Sequence, residues 1–137
     1  MKTKMNPTRE PTIDEIKTLL NFLPVFNIAN YDPIKEWVGG RDSSNSFTLP
    51  YPMYQTEVEQ FFELASQEQW CDYDYNITLI SDKIKAIKAL ESATIPEIKA
   101  MLTFCVRGER FSDGHRAAMI EQGVITKLLI LLSKHLP

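Results

Sequence analysis

The chain has 137 residues, 44% of them hydrophobic and 24% charged, which is the balance of one ordinary globular domain rather than two. No run approaches the roughly 18 apolar residues that span a bilayer, and Leu128 to Leu132 is the longest candidate. Two cysteines, Cys71 and Cys105, are too few for a disulfide scaffold. With no apolar segment after Lys2 and Lys4 to serve as a signal, they point to a reducing, cytoplasmic setting.

The net charge of −3 is unevenly distributed. Residues 1–82 carry 6 basic and 13 acidic side chains, and residues 83–137 carry 9 basic and 5 acidic ones. An acidic chain overall is a poor match for strong nonspecific nucleic-acid binding, although a local basic face can still meet an anion.

In chain order, residues 1–11 read as a flexible N-terminus and 12–137 as one domain. Thr12-Ile13-Asp14-Glu15 is a capping box that starts a helix with Ile13, Ile16, Leu20 and Leu23 on one face, ended by Pro24. Asp32-Pro33 suggests a second helix burying Ile34, Trp37 and Val38 and stopping at Gly39-Gly40. Arg41 to Ser46 is a polar loop, and Leu49-Pro50-Tyr51-Pro52 is extended because each proline disfavours α in its predecessor.

A helix is expected from about Met53 to Gln69, with Tyr54, Val58, Phe61, Phe62 and Ala65 at helical spacing. Trp70 to Asn76 forms an acidic, aromatic loop. Ile77, Ile80, Ile84 and Ile87 predict a helix to about Ser92, although Asn76–Ile80 is β-branched enough to be a short strand. Thr94-Ile95-Pro96-Glu97 is a second capping box, and Ile98, Met101, Leu102 and Cys105 line the helix that follows. That helix runs into Arg107 and toward Arg110. Asp113 is then the expected cap of a short helix ended by Gly123, and a final helix buries Val124, Ile125, Leu128, Leu129, Leu131 and Leu132. The fold class predicted is all-α or mainly α, a compact bundle-like domain of about six helices.

Asp72-x-Asp74-x-Asn76 opens like a calcium loop, but Ile77 stands where the turn needs glycine and Lys83 where a bidentate glutamate belongs. The cysteines and the two histidines, His115 and His135, lack zinc-ligand spacing, and no phosphate-loop or dinucleotide motif occurs. No metal and no cofactor is expected.

The segment Arg107 to Arg116 carries the most unusual chemistry. Arg107 and Arg110 share a helix face, and Arg116 follows in the next helix. Guanidinium forks beside free helix amides would make an anion site, with His115, Glu109 and Asp113 as candidate proton carriers and orienting groups. The competing reading is a scaffold in which these charges pair internally and Phe111 plugs the core. Glu121 sits unfavourably for a DNA-reading helix, so a nucleic-acid role is a weak alternative. Tyr51, Tyr54, Trp70 and Tyr73 are candidates for lining a partner groove, and Ile130, off the main face of the last helix, for a homodimer contact.

The run Arg107-Gly108-Glu109-Arg110-Phe111-Ser112-Asp113-Gly114, followed by Ala117 and Gly123, resembles the C-terminal signature of a bacterial family of unknown function, R-G-E-R-F-x-D-G. Leu49-Pro50-Tyr51-Pro52-x-Tyr54 and the Trp70 loop fit the same family. Arg116 departs from its pattern, which has an aromatic just after His115. The resemblance implies a shared fold and a bacterial or phage setting, without any activity. The expectation is a non-catalytic binding or regulatory module, with an enzyme acting on a phosphate- or carboxylate-bearing substrate as the alternative.

Overall fold

The computed structural model describes residues 9–137. The greater part of the expected flexible N-terminus, residues 1–8, lies outside the described residues. Arg9 is held: its guanidinium meets Glu15 at 2.6 and 2.7 Å, and its carbonyl accepts from Lys99 Nζ at 3.1 Å. Glu15 also closes the Thr12 capping box at the start of α1 (Ile13–Leu20), which buries Ile16 and Leu19. Pro24 does not end α1. It sits in the first turn of a separate short helix, α2 (Leu23–Phe26).

The helix expected after Asp32-Pro33 is absent. Residues Ile34–Arg41 form β1, paired antiparallel with β2 (Phe47–Tyr54), so that Ile34 faces Tyr54 and Arg41 faces Phe47. Asp32 accepts from the Ile34 amide at 3.0 Å, a local turn rather than a helix cap. Gly39 and Gly40 have φ of +103° and +86°, which no helix accommodates. At Gly39 a Cβ would lie 2.8 Å from the Leu49 carbonyl, so the close approach of β2 requires glycine. The polar loop is built on Asp42, whose carboxylate accepts from the amides of Ser44 and Ser46 at 2.9 and 3.0 Å. Trp37, expected in the core, is 54% exposed. Of the all-α or mainly α expectation the mainly α form holds, with one hairpin added.

The remaining helices surround one core. The helix expected from Met53 is shorter: α3 (Thr56–Ala65) starts after Tyr54 has ended β2, and it buries Val58, Phe61, Phe62 and Ala65. A 3₁₀ turn at Glu68–Trp70 then drops Trp70 into the core. The β-branched start at Ile77 is helical, not a strand, because the Asn76 side chain caps α4 (Ile77–Lys85) at the Leu79 amide, 3.1 Å. Helix α5 (Ile95–Arg107) has the expected capping box and buries Ile98, Met101, Leu102 and Cys105. It packs on α3, α4, α6 (His115–Glu121) and α7 (Val124–Ser133). Helix α7 buries the six apolar residues expected of it and touches α1, α2, α5 and α6, so α5 and α7 form the centre of the domain.

Glu97 links α5 to α4. It closes the Thr94 capping box and pairs with Lys83, and these contacts, the Lys83 hydrogen bond first, hold its carboxyl down to about 2 from an ordinary value of 4.5. The folded state therefore binds this proton less readily than the unfolded chain. The resulting stability is complete above pH 4.5 and is lost as pH falls toward 2. Urea titrations across that window should show a smaller acid-induced loss for Glu97→Gln than for the wild type, and equal slopes would contradict the assignment.

Candidate functional site: the junction between α5 and α6

Helix α5 ends at Arg107 and tightens into a 3₁₀ turn, Gly108–Arg110, before the chain reverses and Gly114, at φ +89°, opens α6. Asp113 was the expected cap of α6, but the α6 start has no side-chain bond from its own cap position, and Asp113 is exposed. Glu109 caps the helix from across the turn instead. Its Oε2 accepts from the Gly114 amide at 3.0 Å and its Oε1 from the Arg116 amide at 2.9 Å. The Tyr54 hydroxyl, from the end of β2, lies 2.9 Å from each carboxylate oxygen and donates to them. Burial, and next the adjacent Glu109, push the Tyr54 phenol far above its ordinary value, so it stays a donor. The α6 amides that an external anion would need are thus in use.

His115 turns away from solvent chemistry. Its ring packs edge-on against Phe104 with centroids 5.3 Å apart, and Nε2 is buried with no hydrogen-bond partner among the described residues. Burial, the largest influence, lowers its pKa below 6.5 and favours the neutral imidazole. Gly108 is what admits the ring: a Cβ there would lie 2.2 Å from it. Phe111 is 84% exposed and does not plug the core, and Ser112 accepts from the His115 amide through its carbonyl.

The three arginines come together. Arg107, Arg110 and Arg116 line one cleft of about 310 Å³ together with Tyr73, Cys71, Val106, Ser66 and Thr103. Arg107 lies over the Tyr73 ring, 5.8 Å to its centroid. Arg116 donates through Nε and one terminal nitrogen to the Val106 carbonyl at 3.2 and 3.0 Å and covers Phe62 at 4.9 Å. Among the described residues none of the three is ion-paired with a carboxylate. Thr103, Arg107 and Arg110 recur at spacings of four and three, with Val106 beside Arg107, so this wall of the cleft was readable as one helix face. The contributions of Ser66 and Cys71 come from distant sequence and had no local signal.

The aromatic candidates do not share a groove. Trp70 is 1% exposed, Tyr54 is bonded to Glu109, Tyr51 projects from the hairpin, and only Tyr73, 42% exposed, reaches the arginine cleft. Burial raises the Cys71 thiol, against the weaker pull of Arg107 and Lys99, and it raises the buried Cys105 thiol further. Among the described residues no three His, Cys, Asp or Glu side chains gather as metal ligands. No helix among them is long and apolar enough to cross a membrane. A larger, open depression of about 730 Å³ lies between the segment after α2 and the faces of α6 and α7, with Ile28, Lys127 and Ile130 on its walls.

Gly108→Ala should destabilise the fold by about 1–3 kcal/mol through overpacking against His115. In urea unfolding the double variant Gly108→Ala/His115→Ala should cost clearly less than the sum of its singles, because removing the ring removes the clash. Strict additivity would mean that the two residues do not interlock.

No curated protein and no solved structure gives a significant match to this chain. Residues 11–136, nearly the whole sequence and all the elements that build this junction, match the family described as Family of unknown function (DUF6508), and the chain belongs to that family.

Proposed function

We propose that the domain is a non-catalytic binding module whose recognition centre is the cleft of Arg107, Arg110 and Arg116, and that it takes an anionic group there. The observation that carries this reading is the combination of three guanidinium groups on one cleft and no carboxylate paired with any of them among the described residues. A guanidinium cannot lose its charge near neutral pH, so such a cleft keeps a local positive field that an oxyanion relieves.

Binding is favoured over catalysis by what surrounds the cleft. His115, the candidate proton carrier, has its Nε2 buried against Gly108, and Glu109 is engaged with two amides and a phenol. Neither lines the cleft. A general acid or base must reach the proton it moves, and this arrangement offers none of the expected ones. Asp113, exposed on the turn, is the remaining candidate, and it too is absent from the lining. A small, bounded cleft also suits a single anionic group better than a nucleic-acid backbone, which needs a continuous track of phosphate contacts.

The setting we propose is the cytoplasm of a bacterium or its phage, in keeping with the family resemblance of the Arg107–Gly114 run and with two cysteines that are not joined in a disulfide. A homodimer is a second proposal, supported by Ile130, 38% exposed on α7, and Ile28, which share the wide depression.

Ligand binding to the folded state alone stabilises it by RT ln(1 + L/Kd), where L is the free ligand concentration, and so raises the melting temperature. Replacing chloride by phosphate at equal ionic strength should raise the melting temperature of the wild type clearly more than that of Arg107→Gln/Arg110→Gln, in which only the general salting effect of phosphate remains. Equal shifts in both proteins would place the anion elsewhere and overturn the proposal. Arg116 is excluded from this test because it also supports the Val106 carbonyl and Phe62.

A further inference from the structure

The hydrogen-bonding capacity that remains in the cleft narrows what it can hold. Ser66 donates its hydroxyl to the Phe62 carbonyl at 2.5 Å. The Thr103 hydroxyl donates to the Lys99 carbonyl at 2.8 Å and accepts from the Asp72 amide at 2.9 Å. Cys71 points its sulfur at the Ser66 carbonyl, 3.3 Å away. The hydroxyl protons of Ser66 and Thr103 and the Cys71 thiol are therefore used within the fold. What dominates the cleft is guanidinium N–H from three arginines, with Tyr73 beside them. The complementary group is chiefly a hydrogen-bond acceptor.

The donors also come from three separate places: the last turn of α5 (Arg107), the 3₁₀ turn (Arg110) and the first turn of α6 (Arg116). One planar carboxylate is satisfied by a single bidentate fork. A phosphate monoester presents three terminal oxygens and about −1.5 to −2 charges at pH 7, which matches several cations arriving from different elements. The cleft is larger than one such group needs. Its volume of about 310 Å³ lies at the lower end of the range for small-molecule pockets, and Tyr73 and Val106 give it an apolar flank beside the arginines.

Resting on the anion-binding reading above, we infer that the ligand is a small phosphate monoester. Its phosphoryl oxygens lie on Arg107, Arg110 and the unused donors of Arg116, and its organic part lies against Tyr73. Calorimetric titration of the full chain with phenyl phosphate, inorganic phosphate and benzoate tests this. Phenyl phosphate should bind about tenfold tighter than either of the other two, the aryl group and the second charge each adding on the order of 1.4 kcal/mol. Tyr73→Ala should bring phenyl phosphate down to the level of inorganic phosphate and leave inorganic phosphate unchanged. Arg107→Gln/Arg110→Gln should abolish both phosphates while keeping the wild-type far-UV circular dichroism and urea midpoint. Benzoate binding as tightly as phenyl phosphate would overturn the phosphate assignment and leave the anion site standing. Phenyl phosphate matching inorganic phosphate, or surviving Tyr73→Ala undiminished, would overturn the monoester. Absence of binding by all three probes, or binding that survives loss of both arginines, would sink the anion site itself.

Discussion

The carboxylate of Glu109 joins three parts of the chain. It lies in the turn after α5, receives the Gly114 and Arg116 amides that open α6, and accepts the Tyr54 hydroxyl from the end of the hairpin. An ionised carboxylate has about four acceptor sites, and this one spends them on two backbone donors and one phenol. Losing it would strand those donors in a half-buried junction, at about 1–3 kcal/mol for each left unsatisfied. The hairpin depends on the same group. A two-stranded ribbon is marginal alone, and Phe47, Leu49, Tyr51 and Met53 are largely in solvent. It meets the helices through the Tyr54–Glu109 bond and the Trp37 ring beside Gly114, and the segment leading into it is tied by the Tyr31 hydroxyl on Glu57 at 2.7 Å.

The commitment of Glu109 also explains the state of the arginines. Between residues 107 and 116 there are three arginines and two acids. Glu109 is taken by N–H and O–H donors, and Asp113 stands exposed on the turn, so the segment's positive charges are not neutralised within it. The same geometry removes the α6 terminus as a place for an external anion, since its opening amides already hold an internal one. Attraction for an oxyanion therefore falls to the side chains on the neighbouring face, where Arg107 and Arg110 follow Thr103 and Val106 around α5 and its 3₁₀ extension. On the proposed reading, scaffold and recognition surface are distinct groups in one short segment, with Glu109 and His115 in the first role and Arg107 and Arg110 in the second.

Much of the helical frame was legible because its signals are local. The Thr12 and Thr94 capping boxes, the apolar face of α5 and the left-handed Gly123 each depend on residues a few positions apart. The hairpin was misread where a local and a distant signal competed. Asp32-Pro33 has the chemistry of a helix start, but Asp32 serves a turn, and Ile34–Arg41 gains its backbone partners from Phe47–Tyr54. The extended Pro50-Pro52 stretch and the polar loop before it were the clue, since an extended run beyond a short loop calls for a strand to pair with. The cap of α6 was assigned to Asp113 because caps usually sit next to the helix they serve. Nothing in the sequence distinguishes Glu109 from Asp113 until the 3₁₀ turn folds one inward and leaves the other outside. The meeting of the arginines with Cys71 and Tyr73 is tertiary and has no sequence signature.

Amide hydrogen exchange at Gly114 and Arg116 tests the Glu109 junction most directly. In the intact protein both amides should be protected, and in Glu109→Ala both should exchange freely while the Met101 amide in the middle of α5 keeps its protection. Free exchange of Gly114 and Arg116 in the wild type, or protection that persists without the carboxylate, would contradict the account.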